Sequence, residues 1–250
     1  MTVSIPGPGR YGTGVISVVT WNVLHRVHAE NWYDEVGQRW PDEGARVAAV
    51  TEAVVARGER VVALQEVSGD QLAALRRALP GRVVHTLRYP RVPRSRRIET
   101  ALRDRDEYLV VLADRGSRLL TAAAFADDPG KGAMVVRVDG LTVIATHVTG
   151  DGRRGGQLAR LAELAARAGG PVALIGDFNT DRETVSAALG SEFTVAAPPS
   201  EIPTRPRTSG TKSQFIDHIV TLGATAAEVI VEDVRGLSDH NLVRAELTCP

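Results

Sequence analysis

The sequence predicts an α/β fold in which β-sheets pack on each other and are covered by helices. Short β-rich segments recur along the whole chain, and segments with helical periodicity lie between them. Asp139-Gly140 joins the β-rich segments 133–138 and 141–146 and is typical of a tight hairpin turn. The sheets are therefore at least partly antiparallel, and many strands with interspersed helices are typical of a layered domain.

The predicted elements run through the chain without an internal repeat or a long linker, so one domain over residues 1–250 is the simplest organisation. Strands are predicted over residues 15–21, 61–65, 83–87, 108–112, 119–125, 133–138, 141–146, 172–175, 215–220, 228–231 and 242–247. Helices are predicted over residues 44–57, 70–78, 154–168 and 182–189. Asp70 and Thr180 are the predicted N-caps of the second and fourth helices, because each follows a turn. We expect residues 1–13 to be a flexible N-terminal segment.

Composition and charge exclude several classes of protein. Of the 250 residues, 43% are hydrophobic and 24% are charged, which is typical of a soluble globular protein. Because no apolar run approaches the roughly 18 residues of a membrane span, we expect no membrane partner. The N-terminus shows no signal peptide and Cys249 is the only cysteine, so we expect a cytoplasmic protein without disulfides. The formal net charge of zero argues against a protein that coats nucleic acid by bulk electrostatics.

Residues 175–180 read IGDFNT and place an acid and an amide after a strand that is apolar enough to be buried on both faces. Taken alone, such residues are typical of a turn. Other apolar segments along the chain also carry an acid, an amide or an imidazole at one edge. The full set is Asn22, Glu66, His147, Asp177, Asn179, Asp217, Asp239 and His240. This mixture at so many strand ends indicates a functional site.

The residue types in this set indicate phosphoester hydrolysis. Oxygen ligands such as Glu66, Asp239 and the amide of Asn22 suit Mg²⁺ or Mn²⁺, whereas zinc prefers more Cys or His. An imidazole paired with a carboxylate, such as His240, acts in acid–base catalysis or stabilises an anionic phosphoryl oxygen. Asp177 is a candidate for polarising an attacking water. Phosphoester hydrolysis needs these components: a metal, an oriented water and stabilisation of the leaving group.

The motif order WN, LQE, TH, GDFN, IDHI and SDH resembles the endonuclease/exonuclease/phosphatase superfamily over residues 20–247. This superfamily includes deoxyribonucleases, abasic-site endonucleases, sphingomyelinases, deadenylases and inositol-polyphosphate phosphatases. The resemblance implies an α/β four-layer sandwich of two packed mixed β-sheets flanked by helices, with the active site at one edge. It also implies that Glu66 is the principal metal ligand, assisted by Asn22 and Asp239, for Mg²⁺ or Mn²⁺.

The same resemblance implies catalytic roles for the remaining strand-end residues. Asp177 and Asn179 would align and activate the water, and His240, oriented by Asp217, would stabilise the phosphoryl oxygens. A histidine on the TH strand is similar to the deoxyribonuclease, sphingomyelinase and phosphatase branches, in contrast to the abasic-site branch. His147 is therefore expected near the phosphate or the leaving oxygen, although a histidine that is merely hydrogen-bonded at a strand end would look the same.

An aromatic stretch follows Asn22 and is a candidate for substrate recognition. It contains Trp21, Trp32, Trp40, Tyr33, His25 and His28. Trp32 beside a phosphoesterase site could stack a nucleobase. Alternatively, Trp32 and Trp40 pin the loop to the body of the protein by burying their rings. The two histidines are predicted to lie on the surface or to fix the loop rather than to bind a metal.

An arginine-rich stretch, residues 88–109, is expected on the rim of the active site, where it would attract polyanions or grip phosphates. The alternative is a solvated loop. The substrate-binding candidates in the two stretches are Arg88, Arg91, Arg96, Arg97, Arg103, Trp32 and Tyr108. Either Tyr89 or Tyr108 could occupy the place of a tyrosine that relatives keep near the scissile phosphate. A smaller basic patch consists of Arg205, Arg207 and Lys212.

The sequence therefore predicts a divalent-metal-dependent phosphoester hydrolase that cleaves a phosphodiester of a nucleotide or single-stranded nucleic acid with an activated water. The alternative is a phosphomonoesterase that acts on a small phosphorylated metabolite. A third reading, a non-catalytic phosphate-binding module, is disfavoured because every matched position carries the expected residue type. No obligate protein partner is evident.

Overall fold

Two six-stranded β-sheets form the centre of the computed structural model, which describes residues 14–32, 35–96, 100–199, 202–206 and 214–250. The segment predicted to be flexible, residues 1–13, lies outside these ranges. The strands are β1 (Val15–Asn22), β2 (Val61–Ser68), β3 (Val83–Arg88), β4 (Glu107–Ala113), β5 (Arg118–Phe125), β6 (Asp128–Val138), β7 (Leu141–His147), β8 (Val172–Asp177), β9 (Thr194–Val195), β10 (Asp217–Leu222), β11 (Thr225–Glu232) and β12 (Leu242–Thr248). The helices are α1 (Arg26–Trp32), α2 (Glu35–Arg39), α3 (Glu43–Val55), α4 (Gly69–Ala78), α5 (Arg154–Ala166) and α6 (Arg182–Leu189).

Both sheets mix parallel and antiparallel pairs. The first sheet has the order β11-β12-β1-β2-β4-β3, and the second has the order β5-β6-β7-β8-β10-β9. β1 runs parallel to β2, and β7 runs parallel to β8, whereas the other strand pairs among the described residues are antiparallel. The hairpin between β6 and β7 turns at Asp139 and Gly140, with φ angles of 42° and 86°, so the turn prediction is confirmed.

Alternating residues of the central strands build three apolar layers. Val18 of β1 and Ile175 of β8 belong to the core between the two sheets. On the outer faces, Trp21 of β1 packs in a cluster with residues of α3 and α4, and Leu174 of β8 packs with α5 and α6. The inner strands are therefore buried on both faces, which explains their near-continuous apolar sequences. The predicted α/β sandwich of two packed mixed sheets flanked by helices is confirmed.

The helix starts differ from the predicted ones. Ser68 caps α4 and Asp181 caps α6, because each side chain accepts a hydrogen bond from the backbone N–H three residues further on. The predicted caps, Asp70 and Thr180, are therefore wrong by one or two residues. No helix among the described residues is long and apolar enough to cross a membrane. The cytoplasmic location stays a prediction.

The sequence patterns missed the short helices α1 and α2. Their buried apolar residues are few, namely Val27, Ala29 and Val36, so no repeating apolar stripe marks them. Helices of this length depend on contacts with the rest of the protein, because nucleation is costly and few turns follow it. α1 lies directly after the end of β1, and this position places it beside the site described next.

Candidate active site

A cavity of about 870 Å³ opens where the polar ends of strands from both sheets meet. The side chains at its base, which we call the cavity floor, are Glu66, His147, Asp177, Asn179, Asp239 and His240. The strand register brings some of them together. His147 is paired with Asp177 across β7 and β8, and Asp177 is paired with Asp217 across β8 and β10. The hydrogen bonds of the second sheet thus fix one row of titratable side chains.

A histidine–carboxylate dyad lies at one side of the floor. His240 Nδ1 is 2.9 Å from Asp217 Oδ2, and His240 Nε2 is 4.0 Å from Asp177 Oδ2. The carboxylate of Asp217 is fully buried behind the imidazole. Burial alone would lower the pKa of His240, but Asp217, Asp239 and Asp177 outweigh it and raise that pKa to about 10. The imidazole is therefore a cation at neutral pH.

A β-bulge directs Glu66 into the cavity. The pairing of β2 with β4 shifts between Leu64 and Val67, and Glu66 has a φ of 58°. β2 therefore continues past Glu66, where the sequence predicted the strand to end. The two carboxylate oxygens of Glu66 accept hydrogen bonds from Asn22 Nδ2 at 3.2 Å and from the backbone N–H of His25 at 3.1 Å.

Asn22 joins the two sheets beneath the cavity. Its Nδ2 donates to Glu66 and, at 3.1 Å, to Asp177 Oδ2. Its Oδ1 accepts a hydrogen bond from the backbone N–H of Leu24 at 3.0 Å. The amide thus presents its NH₂ group to the carboxylates, and the oxygen that was expected to bind a metal is already engaged. The ligand role of Asn22 stays a prediction, whereas its role as a bridge is directly visible.

Two cations compensate the buried carboxylates. Lys131 Nζ contacts both ring nitrogens of His147, and the distance to Nδ1 is 3.1 Å. Arg205 donates to Asp239 Oδ2 through Nε at 3.0 Å and Nη2 at 2.8 Å. Burial opposes ionisation of Glu66, but His28, Lys131 and His147 outweigh it and hold the pKa of Glu66 well below its usual range.

Asp177 is held ionised in the same way. Burial would raise its pKa, but His147, His240 and Lys131 outweigh this effect and place the pKa below its usual range. Asp177 Oδ1 accepts the backbone N–H of Asn179 at 2.8 Å, so both carboxylate oxygens are oriented by amide donors. The floor therefore combines fixed negative oxygens with neighbouring cations, which is an arrangement suited to phosphate chemistry.

The mouth of the cavity, which we call the cavity rim, is lined by Trp32, Arg91, Arg94 and Arg96. The Trp32 side chain is 65% exposed, and the guanidinium carbon of Arg96 lies 4.9 Å from the centroid of its ring. Asn31 holds the arginine loop against α1, because its Nδ2 donates to Arg94 O and its Oδ1 accepts from Arg96 N. The rim is basic and presents one large aromatic surface.

Sequence comparison identifies the family. The profile of the endonuclease/exonuclease/phosphatase family matches residues 19–240. The chain belongs to this family. Membership makes it a phosphoester hydrolase, and the predicted enzyme class is confirmed. No curated protein matches the sequence.

Solved structures share the fold of this family member at low sequence identity. TDP2 from D. rerio, complexed with a single-strand DNA product, aligns with a TM-score of 0.67 at 14% identity, over 93% of this chain and 98% of that chain. ANGEL2, a 2′,3′-cyclic phosphatase in complex with adenosine-2′,3′-vanadate, aligns with a TM-score of 0.68 at 15% identity, over 95% of this chain and 96% of that chain. An endonuclease/exonuclease/phosphatase family protein from Bacteroides thetaiotaomicron aligns with a TM-score of 0.65 at 18% identity, over 96% and 100%. Likeness at these identities establishes the fold alone.

The acidic groups of this family member include one compact candidate cation cluster among the described residues. Asp177, Asp217 and His240 each offer a ligand atom within 4.8 Å of the others. The hydrogen bond between His240 and Asp217 already accounts for two of these atoms, so the cluster is a dyad beside a carboxylate. Glu66 and Asp239 also line the cavity and offer oxygen ligands of the kind that Mg²⁺ and Mn²⁺ prefer.

The substrate-binding candidates divide into those that reach the cavity and those that do not. Trp32, Arg91 and Arg96 line it. Arg88 instead pairs with Asp106 at 2.6 Å on an exposed surface. Tyr108 packs in the apolar cluster of the first sheet. Arg103 lies near Asp70, whose carboxylate accepts the backbone N–H of Arg103. These three do not line the cavity that the described residues form. Arg97, Arg207 and Lys212 lie outside the described residues.

The open alternatives for the aromatic stretch are resolved residue by residue. Trp40 follows the packing alternative, because it is half-buried and its Nε1–H donates to Gly236 O at 3.0 Å. The packing alternative is wrong for Trp32, because its ring is exposed. Tyr89 is buried in the core and does not line the cavity. His25 is fully buried and its Nδ1 accepts the backbone N–H of Val27 at 3.2 Å, so the loop-fixing alternative holds for this histidine and the surface alternative does not.

Sequence reasoning missed Lys131 and His28 as cavity-lining residues. Lys131 is on β6, one strand away from His147, and its only sequence signal was its rarity, since the chain has few lysines. His28 was set aside, yet it lines the cavity and its Nε2 lies 3.3 Å from the buried carboxylate of Glu107. Lys131 is placed by the hairpin of β6 and β7, whereas His28 is placed by α1, which follows the end of β1.

Proposed function

We propose that the protein is a divalent-metal-dependent phosphodiesterase that cleaves a nucleotide or single-stranded nucleic acid by direct attack of an activated water. The observation that carries this proposal is the juxtaposition of the cavity floor with the cavity rim. A floor of oriented carboxylates and an imidazolium suits a phosphoester. A rim of arginines beside an exposed tryptophan suits a base and its phosphates.

Asp177 is proposed to orient the water. Its pKa lies below the usual range, so it is a weak base and acts as a fixed hydrogen-bond acceptor for the nucleophile. Asn22 and the backbone of Asn179 hold its two oxygens in place. A water that donates to this carboxylate would have its lone pairs directed toward the cavity.

His240 is proposed to donate a proton or a hydrogen bond to the substrate. With Asp217 on Nδ1, the imidazolium has Nε2 available on the side of Asp177 and the cavity. Lys131 and Arg205 line the same cavity and add positive charge near the phosphoryl group. The chain thereby supplies stabilisation for the extra negative charge of the transition state.

Glu66 and Asp239 are the proposed holders of a divalent cation, Mg²⁺ or Mn²⁺. Bound there, the cation would neutralise phosphoryl charge as a Lewis acid. Asn22 would orient Glu66, and Arg205 would orient Asp239 through the contacts that both side chains make. A cation would also relieve the repulsion among the carboxylates of the floor.

The nucleotide substrate class is supported by the rim and by two proteins of similar fold. TDP2 was solved with a single-strand DNA product, and ANGEL2 was solved with adenosine-2′,3′-vanadate. Both ligands carry a base next to a phosphate or a phosphate-like group. Trp32 and Arg96 offer this chain a surface for such a base.

The test is hydrolysis of bis-p-nitrophenyl phosphate, p-nitrophenyl phosphate and a short oligothymidylate, each with Mg²⁺, with Mn²⁺ and with EDTA. We expect metal-dependent cleavage of the diesters that is lost in the Asp177→Asn variant. Cleavage of the monoester alone would replace the proposal with the phosphomonoesterase alternative. Cleavage of none of the three, in protein shown to be folded, would contradict it.

A further inference from the structure

One face of α1 is turned toward the cavity, and His28 on this face has no role in the mechanism above. His28, Asn31 and Trp32 all line the cavity, and residues three and four apart share one face of a helix. His28 and Trp32 are separated by one helical turn, about 6 Å along the axis. This separation is comparable to that between the phosphate and the base of one nucleotide. Glu66 of the cavity floor lines the same cavity.

The imidazole of His28 contacts a buried carboxylate. Its Nε2 lies 3.3 Å from Oε2 of Glu107, whose side chain is fully buried, and the His28 side chain itself is 23% exposed. Among the described residues, the other ring nitrogen, Nδ1, has no hydrogen-bond partner. A buried carboxylate without an arginine or lysine partner favours a charged imidazole beside it. His240 and Asp217 form a similar pair at another place in the cavity, with the carboxylate on Nδ1 instead of Nε2.

We infer that His28 and Trp32 together bind one nucleotide of the substrate. His28 contacts the phosphate of this nucleotide, and Trp32 stacks on its base. Glu107 is the positioning residue that holds the His28 imidazole. The inference rests on the proposed function, which it deepens by assigning a nucleotide subsite next to the cavity floor. The alternative is that His28 serves only as the counter-ion of Glu107 and does not contact the substrate.

The test separates phosphate recognition from base recognition by binding alone. Two fluorescein-labelled trimers are compared by anisotropy in EDTA at low salt: a thymidylate trimer, and an abasic trimer with the same phosphates. We expect His28→Gln to weaken both by about tenfold to 100-fold, the range for a lost hydrogen bond to a charged group. Trp32→Ala should weaken only the thymidylate trimer.

The outcomes distinguish the two roles of His28. A His28→Gln variant that melts at a lower temperature but binds the abasic trimer like the wild type would reduce His28 to a counter-ion and overturn the inference. Glu107→Gln should weaken both trimers in the same direction as His28→Gln. His85→Gln is the matched control, because His85 bonds Ser117 Oγ at 2.9 Å outside the cavity and should leave both affinities unchanged.

Failure of the inference differs from failure of the proposed function. If the wild type cleaves diesters with metal but His28→Gln leaves the binding of both trimers unchanged, the function stands and the subsite is lost. If the wild type cleaves no diester while the binding pattern holds, the subsite stands and the catalytic proposal is lost.

Discussion

The cavity floor and the cavity rim are built from different kinds of structure. The floor residues His147 and Asp177 lie on paired strands, and their carboxylate and imidazole groups are buried. The rim residues Trp32 and Arg96 lie on a short helix and a loop, where their side chains are accessible. The hydrogen bonds that hold the second sheet also fix His147 and Asp177, whereas the rim depends on a few side-chain contacts such as those of Asn31. We infer that the chemistry is set by the fold and that the choice of substrate is set by the rim.

The largest expected effect comes from the floor. Asp177→Asn should lower kcat by about 10²- to 10³-fold, the range for loss of one preorganised polar group that acts in the transition state, and should leave KM nearly unchanged. Steady-state kinetics on bis-p-nitrophenyl phosphate with Mn²⁺ measure this. Asp181→Asn, which alters only the cap of α6, is the matched control and should retain activity. Undiminished kcat in Asp177→Asn would remove the catalytic role from the floor.

The same contrast explains how much could be predicted from the sequence. Asp177 ends one apolar strand and Asp217 lies near the start of another, so the strand pattern placed both at strand edges. The antiparallel register that sets them opposite each other confirms this. The bulge at Glu66 and the engagement of Asn22 Oδ1 by Leu24 could not be predicted, because they depend on local backbone geometry.

The rim was predicted less well, for a physical reason. Arg88 and Arg91 look equivalent in sequence, yet only Arg91 lines the cavity, while Arg88 pairs with Asp106. Which arginine of a loop turns inward depends on contacts such as those of Asn31, which are made between residues far apart in the chain. Charge composition indicates that a basic rim exists but does not say which side chains form it.

The second prediction concerns the floor residue His240 and the effect of pH on the free energy of unfolding. The pKa of His240 in the folded protein is about 10, above its ordinary value of 6.5. The group therefore contributes stability that is fully present below pH 6.5 and is lost as the pH rises toward 10. The free energy of unfolding should fall by up to about 1.4 kcal/mol per pH unit in this window.

Asp217→Asn should flatten this dependence, because Asp217 is the strongest of the carboxylates that raise the pKa of His240. Urea unfolding of both proteins in EDTA, at intervals between pH 6.5 and 10, gives the two slopes. The difference between them isolates His240 from other groups that titrate in the same range. Equal slopes would show that the dyad does not hold the imidazolium.

The third prediction concerns the rim and separates binding from chemistry. Trp32→Ala should raise KM for an oligothymidylate by about fivefold to 150-fold, because stacking of one base contributes about 1–3 kcal/mol. Its kcat should stay close to that of the wild type, and bis-p-nitrophenyl phosphate should be cleaved normally. Leu120→Ala is the control, because this exposed side chain on β5 does not line the cavity. A fall in kcat as large as that of Asp177→Asn would abolish the distinction between rim and floor.

The smallest expected effect tests how the rim is held. The guanidinium of Arg91 lies over Gly130, and a Cβ added at Gly130 would come within 2.1 Å of the guanidinium carbon. Gly130→Ala should therefore displace this arginine without removing its charge. Arg91→Ala should reduce the slope of log K against log salt by about 0.7 for a single-stranded ligand, the value for one lost phosphate contact. Gly130→Ala should reduce it by less. Gly116→Ala, which has open space around it, should leave the slope unchanged. Anisotropy titrations of oligothymidylate over a series of salt concentrations measure all three, and a wild-type slope in Arg91→Ala would place this arginine outside the path of the substrate.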